Sequence, residues 1–171
     1  MATTYQIIAS VMVGAGGQAT IEFTSIPATY TDLVILSSLR TNTSPDAFDG
    51  IRMTFNNASA NRSIKRLYGL GSGSPGTSSN SYMMASQAST AVNTSNTFGN
   101  GFCYIPNYRS SNYKSASSDE VSENNATTAI AEIDANLWSD TSAITSIQLV
   151  SENAANFVQY STAYLYGISN A

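Results

Sequence analysis

The chain has 171 residues, 42% of them hydrophobic but only 11% charged, with a formal net charge of −4 and an isoelectric point near 4.5. It has apolar content enough for one sizeable core and too little net charge and too much hydrophobicity for a disordered segment. An acidic balance with seven scattered Lys and Arg points away from nucleic acid. The absence of histidine removes every Ser-His-Asp or Cys-His arrangement, and a single cysteine excludes an intrachain disulfide. Ser, Thr and Asn make up roughly a third of the residues, well above average usage, so the expected surface is polar and nearly uncharged. No apolar run approaches the ~20 residues of a membrane-spanning helix, and the first residues lack the basic start of a signal peptide. Synthesis in a cytoplasm without an address label is the expectation.

In chain order, residues 4–13 alternate with Tyr5, Ile7, Ala9, Val11 and Val13 on one face and predict a first strand. Gly14-Ala15-Gly16-Gly17 turns the chain into a second strand over 19–24. A strand, not a helix, follows these glycines, so they do not read as a phosphate cradle. The run Leu33-Val34-Ile35-Leu36 is continuously apolar and predicts a central strand. Asp46 and Asp49 lie in a polar loop without the spacing of a calcium loop and read as turn residues. Strands are expected over 50–56 and 63–70. Residues 71–97 then read as a long polar loop or arm whose glycine- and serine-rich start, with Ser74 and Pro75, projects towards a neighbouring subunit or surface.

A strand is expected over 98–104, where Cys103 in an apolar run reads as a small buried hydrophobe. The polar segment that follows holds Tyr108 and Tyr113, two candidates for exposed contact residues because tyrosine joins a large apolar area to a polar tip. Further strand signal runs to Val121. Residues 126–138 alternate strongly: Thr128, Ile130, Glu132 and Asp134 form one set, and Ala129, Ala131, Ile133, Ala135 and Leu137 the other. The second set is expected to face the core and the first to face water. Two carboxylates on one side are the minimum for glycoside hydrolysis, but Glu132 and Asp134 read as a solvated face. Residues 143–150 and 157–168 predict the last two strands. The final one, with Phe157, Tyr160, Tyr164 and Tyr166, is expected to pair with the first.

Nine or ten strands, turns rich in Gly, Asn, Ser and Pro, and no amphipathic helix predict an all-β fold. The expected architecture is a single-domain antiparallel β-sandwich over residues 1–171, jelly-roll-like because of its long connections. No catalytic residue, cofactor or metal is expected.

Four segments carry a resemblance when taken in order: Thr24-Ser25-Ile26-Pro27-Ala28-Thr29-Tyr30-Thr31-Asp32-Leu33-Val34; Ile105-Pro106-Asn107-Tyr108-Arg109-Ser110; Leu137-Trp138 with Ile144-Thr145-Ser146-Ile147; and Leu165-Tyr166-Gly167-Ile168. Together they resemble a recurring family of small structural proteins of tailed bacteriophages, especially those of aquatic bacteria and cyanobacteria. The resemblance runs along nearly the whole chain. It implies a virion component with a β-sandwich fold and carries over no catalytic residue. The expected role is a capsid decoration or cement protein, a homotrimer whose partners are the major capsid protein and itself, with neither nucleic acid nor membrane bound. The alternative is a tail-fibre or receptor-binding module, against which the lack of a coiled-coil or triple-β shaft weighs.

Overall fold

The structure, a computed structural model, describes residues 4–71 and 74–169. Ser72 and Gly73 of the glycine- and serine-rich stretch, and both ends of the chain, lie outside the described residues. Among the described residues there are twelve strands: β1 (Tyr5–Met12), β2 (Thr20–Phe23), β3 (Asp32–Leu39), β4 (Phe48–Phe55), β5 (Arg62–Gly69), β6 (Gly76–Asn80), β7 (Met83–Ser89), β8 (Gly99–Ile105), β9 (Lys114–Glu123), β10 (Ala129–Trp138), β11 (Ile147–Ser151) and β12 (Thr162–Ile168). They form an eight-stranded sheet, in the order β1-β12-β3-β8-β9-β10-β5-β6, and a four-stranded sheet, β2-β11-β4-β7. All neighbouring strands pair antiparallel.

The pairings nest. First strand meets last (β1 with β12), second meets next-to-last (β2 with β11), and inside these β3 meets β8 and β4 meets β7. This is one long hairpin rolled into two facing sheets, the pairing order of a jelly roll. The expected pairing of the final strand with the first is therefore present. Two hairpins are inserted into the roll: β5-β6 between β4 and β7, and β9-β10 between β8 and β11. Both add to the free side of β8 and double the width of one sheet only.

The four-stranded sheet follows the usual rule, with apolar residues in and polar residues out. Ile21, Phe23, Ile51, Met53, Phe55, Ile147 and Leu149 are buried, while Glu22, Gln148 and Thr54 lie side by side on its outer face. Opposite it, Leu33, Ile35, Cys103, Ile105, Ala163 and Leu165 close the core from β3, β8 and β12. Trp138 caps this core edge-on against Phe55, with ring centroids 5.7 Å apart. Cys103 is fully buried, as expected, and burial pushes its thiol far up.

Residues 71–97 are a correction. They hold β6 and β7, and all seven residues of β7 are buried. Because both of its faces are covered, Met83-Met84-Ala85-Ser86-Gln87-Ala88-Ser89 shows no alternation, so its small polar residues look like a loop. A second departure lies in β1. A bulge between Ile7 and Ala9 shifts its register against β12, so Tyr5 and Ile7 face outward while Ile8, Ala9 and Val11 pack on the core. In β3, Leu36 is exposed on the outer face rather than covered.

β7 ends the small sheet, so one side of its backbone lacks a strand partner. The wide sheet covers that side at close range. A Cβ placed on Gly101 of β8 would sit 2.6 Å from the Ala85 carbonyl oxygen, and one on Gly99 would run into the Gln87 carbonyl. These two glycines are what admits β7. Gly101→Ala is expected to lower the unfolding free energy by about 1–3 kcal/mol through this overpacking, read as a lower urea midpoint at unchanged slope. A midpoint equal to wild type would contradict the close seating of β7 on β8.

Candidate functional site

Strands β9, β10 and β5 carry an inversion. It is clearest on β10: β9 also buries polar residues, but outward it shows Ser115, Ser117, Asp119 and Glu123 beside Val121, and β5 shows Ser63 and Lys65 beside Leu67. On β10 the buried residues are Ile130, Glu132, Asp134, Asn136 and Trp138, while Ala129, Ala131, Ile133, Ala135 and Leu137 face outward. The expectation for this strand is therefore reversed: Glu132 and Asp134 point into the sandwich, and the set taken for the core is on the surface. The physical reason is what lies beneath. The Asn136 carboxamide accepts from the Met84 N–H at 2.9 Å and donates to the Met84 carbonyl at 3.0 Å, standing in for the missing strand beside β7. The Ser118 hydroxyl donates to the same carbonyl at 3.2 Å. An uncovered backbone edge inside a protein must be hydrogen-bonded, so the residues above it are polar.

The same layer holds a charge cluster. The Arg66 guanidinium grips Asp134 with two parallel hydrogen bonds of 2.8 and 2.7 Å and reaches Glu132 at 3.3 Å. Gln87 on β7 donates to the other Glu132 oxygen at 2.6 Å. Glu120 lies directly across from Glu132 in the β9–β10 register and is 1% exposed. Neither of its carboxylate oxygens accepts a hydrogen bond. Burial, with the Asp134 charge second, raises the Glu120 carboxyl well above the usual carboxylate range, against the pull of Arg66. Burial also raises Glu132, less so, because Arg66 and the Gln87 amide favour its charged form. For Arg66, burial works against the charge, but the hydrogen bond and charge of Asp134 outweigh it and raise the group.

The outward set of these strands continues across the whole wide sheet. Strand register places Ser10, Tyr164, Leu36, Phe102, Asp119, Ile133, Leu67 and Thr77 in one row. Five of the eight are large hydrophobic side chains that remain exposed, with Ile133 at 62% and Leu67 at 49%. The next row adds Met12, Val121 and Ala131. Between Leu67, Val121, Ala131 and Ile133 the face dips into an apolar cleft of about 350 Å³ whose rim includes Pro75. Exposed Asp119 divides the row, with Tyr164, Leu36 and Phe102 on one side and Ile133 and Leu67 on the other; exposed large apolar side chains gathered on one face mark a candidate contact surface.

The four candidate contact residues fall in different places. Pro75 borders the apolar cleft, and Ser74 beside it is exposed. Tyr113 is 61% exposed next to Lys114. It lies at the end of β9 and β10 where Lys114 pairs with Trp138, whereas the cleft lies at the Val121–Ala131 end. About seven residues of rise, roughly 24 Å, separate them. Tyr108 is a correction: it is fully buried, and its hydroxyl donates to the Pro27 carbonyl. Asp32 pins this segment by accepting from the Asn107 N–H at 2.8 Å and the Tyr104 hydroxyl at 2.9 Å. With Asn107 at a positive φ of 48°, the chain then turns Tyr108 inward.

Asp46 and Asp49 are not a pair. Asp46 is exposed, and Asp49 is a buried hub that accepts from the Thr41, Thr43 and Ser151 hydroxyls and the Asn153 amide. The apolar row was missed because its members come from strands far apart in sequence. One signal was present: Trp138 shares the parity of Glu132 and Asp134, and the chain's single tryptophan is expected in a core.

Arg66→Met is expected to lower stability by about 3–5 kcal/mol, because it strands buried carboxylates without their partner. Chemical denaturation of the purified variant reads this, and a loss under about 1 kcal/mol would refute the pairing's structural weight. Comparison of the whole chain with protein-family models, with curated proteins and with solved structures finds no match.

Proposed function

We propose that this protein is a structural component of a tailed-bacteriophage virion, specifically a capsid decoration protein. It binds the outer shell through the exposed apolar face of its wide sheet. The observation that carries this reading is the row Tyr164, Leu36, Phe102, Ile133 and Leu67, five large hydrophobic side chains left exposed on one face. Eight strands at about 4.8 Å spacing make a face roughly 38 Å wide. About 20 Å of strand length then offers on the order of 750 Å², close to the ~800 Å² each partner gives to a specific interface.

The partner is the major capsid protein, and the protein acts as a homotrimer, a closed symmetric form suited to a symmetric shell. Jelly-roll sandwiches recur in capsid and lectin domains; this is support by analogy of fold, since fold alone does not decide function. No catalysis is needed. The carboxylate pair Glu132 and Asp134 is buried in ion pairs with Arg66. Binding only the assembled shell stabilises that shell by mass action. The protein is made in the host cytoplasm and resides in the virion, with neither membrane nor nucleic acid as a partner.

A second reading, a tail-fibre or receptor-binding module, is favoured by one observation. A cleft of about 390 Å³ is lined by Arg40, Asn42, Ser95, Asn96, Gln159 and the exposed Tyr160. Its amides and aromatic ring are groups that recognise a sugar, while the Arg40 guanidinium is spent on the Asn93, Thr94 and Thr97 carbonyls.

The test uses virions lacking the protein and add-back of purified variants. Under the decoration reading, depleted particles adsorb normally but rupture at lower temperature. Wild-type protein restores heat resistance, and the double variant L67E/I133E, folded by circular dichroism, binds the shell at least about tenfold more weakly, equivalent to about 1.4 kcal/mol. Depleted particles that keep full heat resistance and fail to adsorb would overturn decoration in favour of receptor binding.

A further inference from the structure

We infer that Glu120, Glu132 and Asp134, with the side-chain carbonyl of Gln87, form a binding site for a single calcium-sized divalent cation inside the sandwich. The inference concerns the layer beneath the proposed docking face and does not depend on that face's partner.

Geometry is the first support. Glu120 and Glu132 are cross-strand neighbours, and Asp134 is the next inward residue on β10. One oxygen from each carboxylate lies within 4.8 Å of the others. Calcium holds oxygens at about 2.3–2.6 Å, so two ligands of one ion can be at most about 5 Å apart. The three oxygens already satisfy that limit without any strand moving.

The second support comes from the facing sheet. Gln87 comes from the other sheet and is 3% exposed. Its amide nitrogen is spent on Glu132 at 2.6 Å, which brings the carboxamide end into the cluster, and its Oε1 accepts no hydrogen bond. Glu120, at 1% exposure, likewise has two oxygens that accept no hydrogen bond and that face the carboxylates of Asp134 and Glu132. Buried acceptors without donors are costly, and a hard cation is the ligand that needs acceptors alone. A carbonyl oxygen beside carboxylates is the ligand mixture that calcium takes.

Charge is the third. Three carboxylates face one guanidinium in this layer, so the ionised cluster carries two uncompensated negative charges. A divalent cation brings the sum to zero. Asp134 and Glu132 keep their bonds to Arg66, because each carboxylate oxygen has a second lone pair. The competing way to neutralise the layer is to protonate Glu120, and this is the state the experiment must separate from metal binding.

The test treats purified full-length protein with a chelator, dialyses the chelator away and adds Ca²⁺ alone. Calorimetry is expected to show saturable binding of about one ion per chain. At calcium one hundred times Kd the melting temperature is expected to rise by about 5–10 °C. Glu120→Gln keeps the volume and removes the charge, so it is expected to stay folded and to bind Ca²⁺ at least tenfold more weakly. Should that variant not fold, elemental analysis of wild-type protein exchanged into excess Ca²⁺ and then desalted decides the matter, with about one calcium per chain expected. No melting shift at millimolar Ca²⁺, a wild-type response in Glu120→Gln, or desalted wild-type protein free of calcium would each overturn the site and leave protonation of Glu120 as the neutralising state.

Discussion

The open backbone edge of β7 is the constraint on which the rest of this structure turns. β7 is the terminal strand of the four-stranded sheet, yet it lies buried under the wider one. Its N–H and C=O groups on that side cannot reach water, and each left unpaired would cost about 1–3 kcal/mol. The fold meets this in two ways. Over β8 the answer is steric, since glycines at 99 and 101 leave room for the carbonyls of Gln87 and Ala85. Over β9 and β10, side chains supply the partners, with Asn136 imitating a strand at Met84.

On β10 a polar inward set goes with an apolar outward one. In a strand, successive residues alternate between faces, so a strand that turns its Asn, Ser, Asp and Glu residues inward presents the intervening residues to the surface. On β10 those are Ala129, Ala131, Ile133, Ala135 and Leu137. The apolar surface of the wide sheet and the charged layer beneath it are thus two sides of one arrangement. The narrow sheet has no buried edge strand over its own outer face and keeps the ordinary pattern. The inserted hairpins, β5-β6 and β9-β10, are what separate this domain from a plain eight-stranded roll. They supply the Arg66–Asp134 pair, the Glu120–Glu132 pair and the part of the apolar face that holds Ile133 and Leu67.

Burying such a layer is expensive unless its charges are matched. Arg66 answers Asp134 and part of Glu132, and Glu120 stands without a hydrogen-bond donor. The cluster therefore ties the two sheets together through the Gln87–Glu132 hydrogen bond. The exposed apolar side chains of β10 lie directly over that layer.

The amino-acid sequence by itself determined the all-β class, ten of the twelve strands and the meeting of the first strand with the last. Alternation, glycine-rich turns and the aromatic run ending at Ile168 are local signals, and local signals suffice for those features. It also isolated Glu132 and Asp134 as one set on one strand, and Ser74 and Pro75 as surface. It did not reveal β7, because a strand buried on both sides has no alternation to read. It placed Tyr108 at the surface because its neighbours are polar, while Asp32, far away in the chain, turns it inward. Above all, tertiary structure decided which side of β10 is the inside. Period two marks two faces and is symmetric between them; only the neighbour packed on one side, here the open edge of β7, breaks that symmetry.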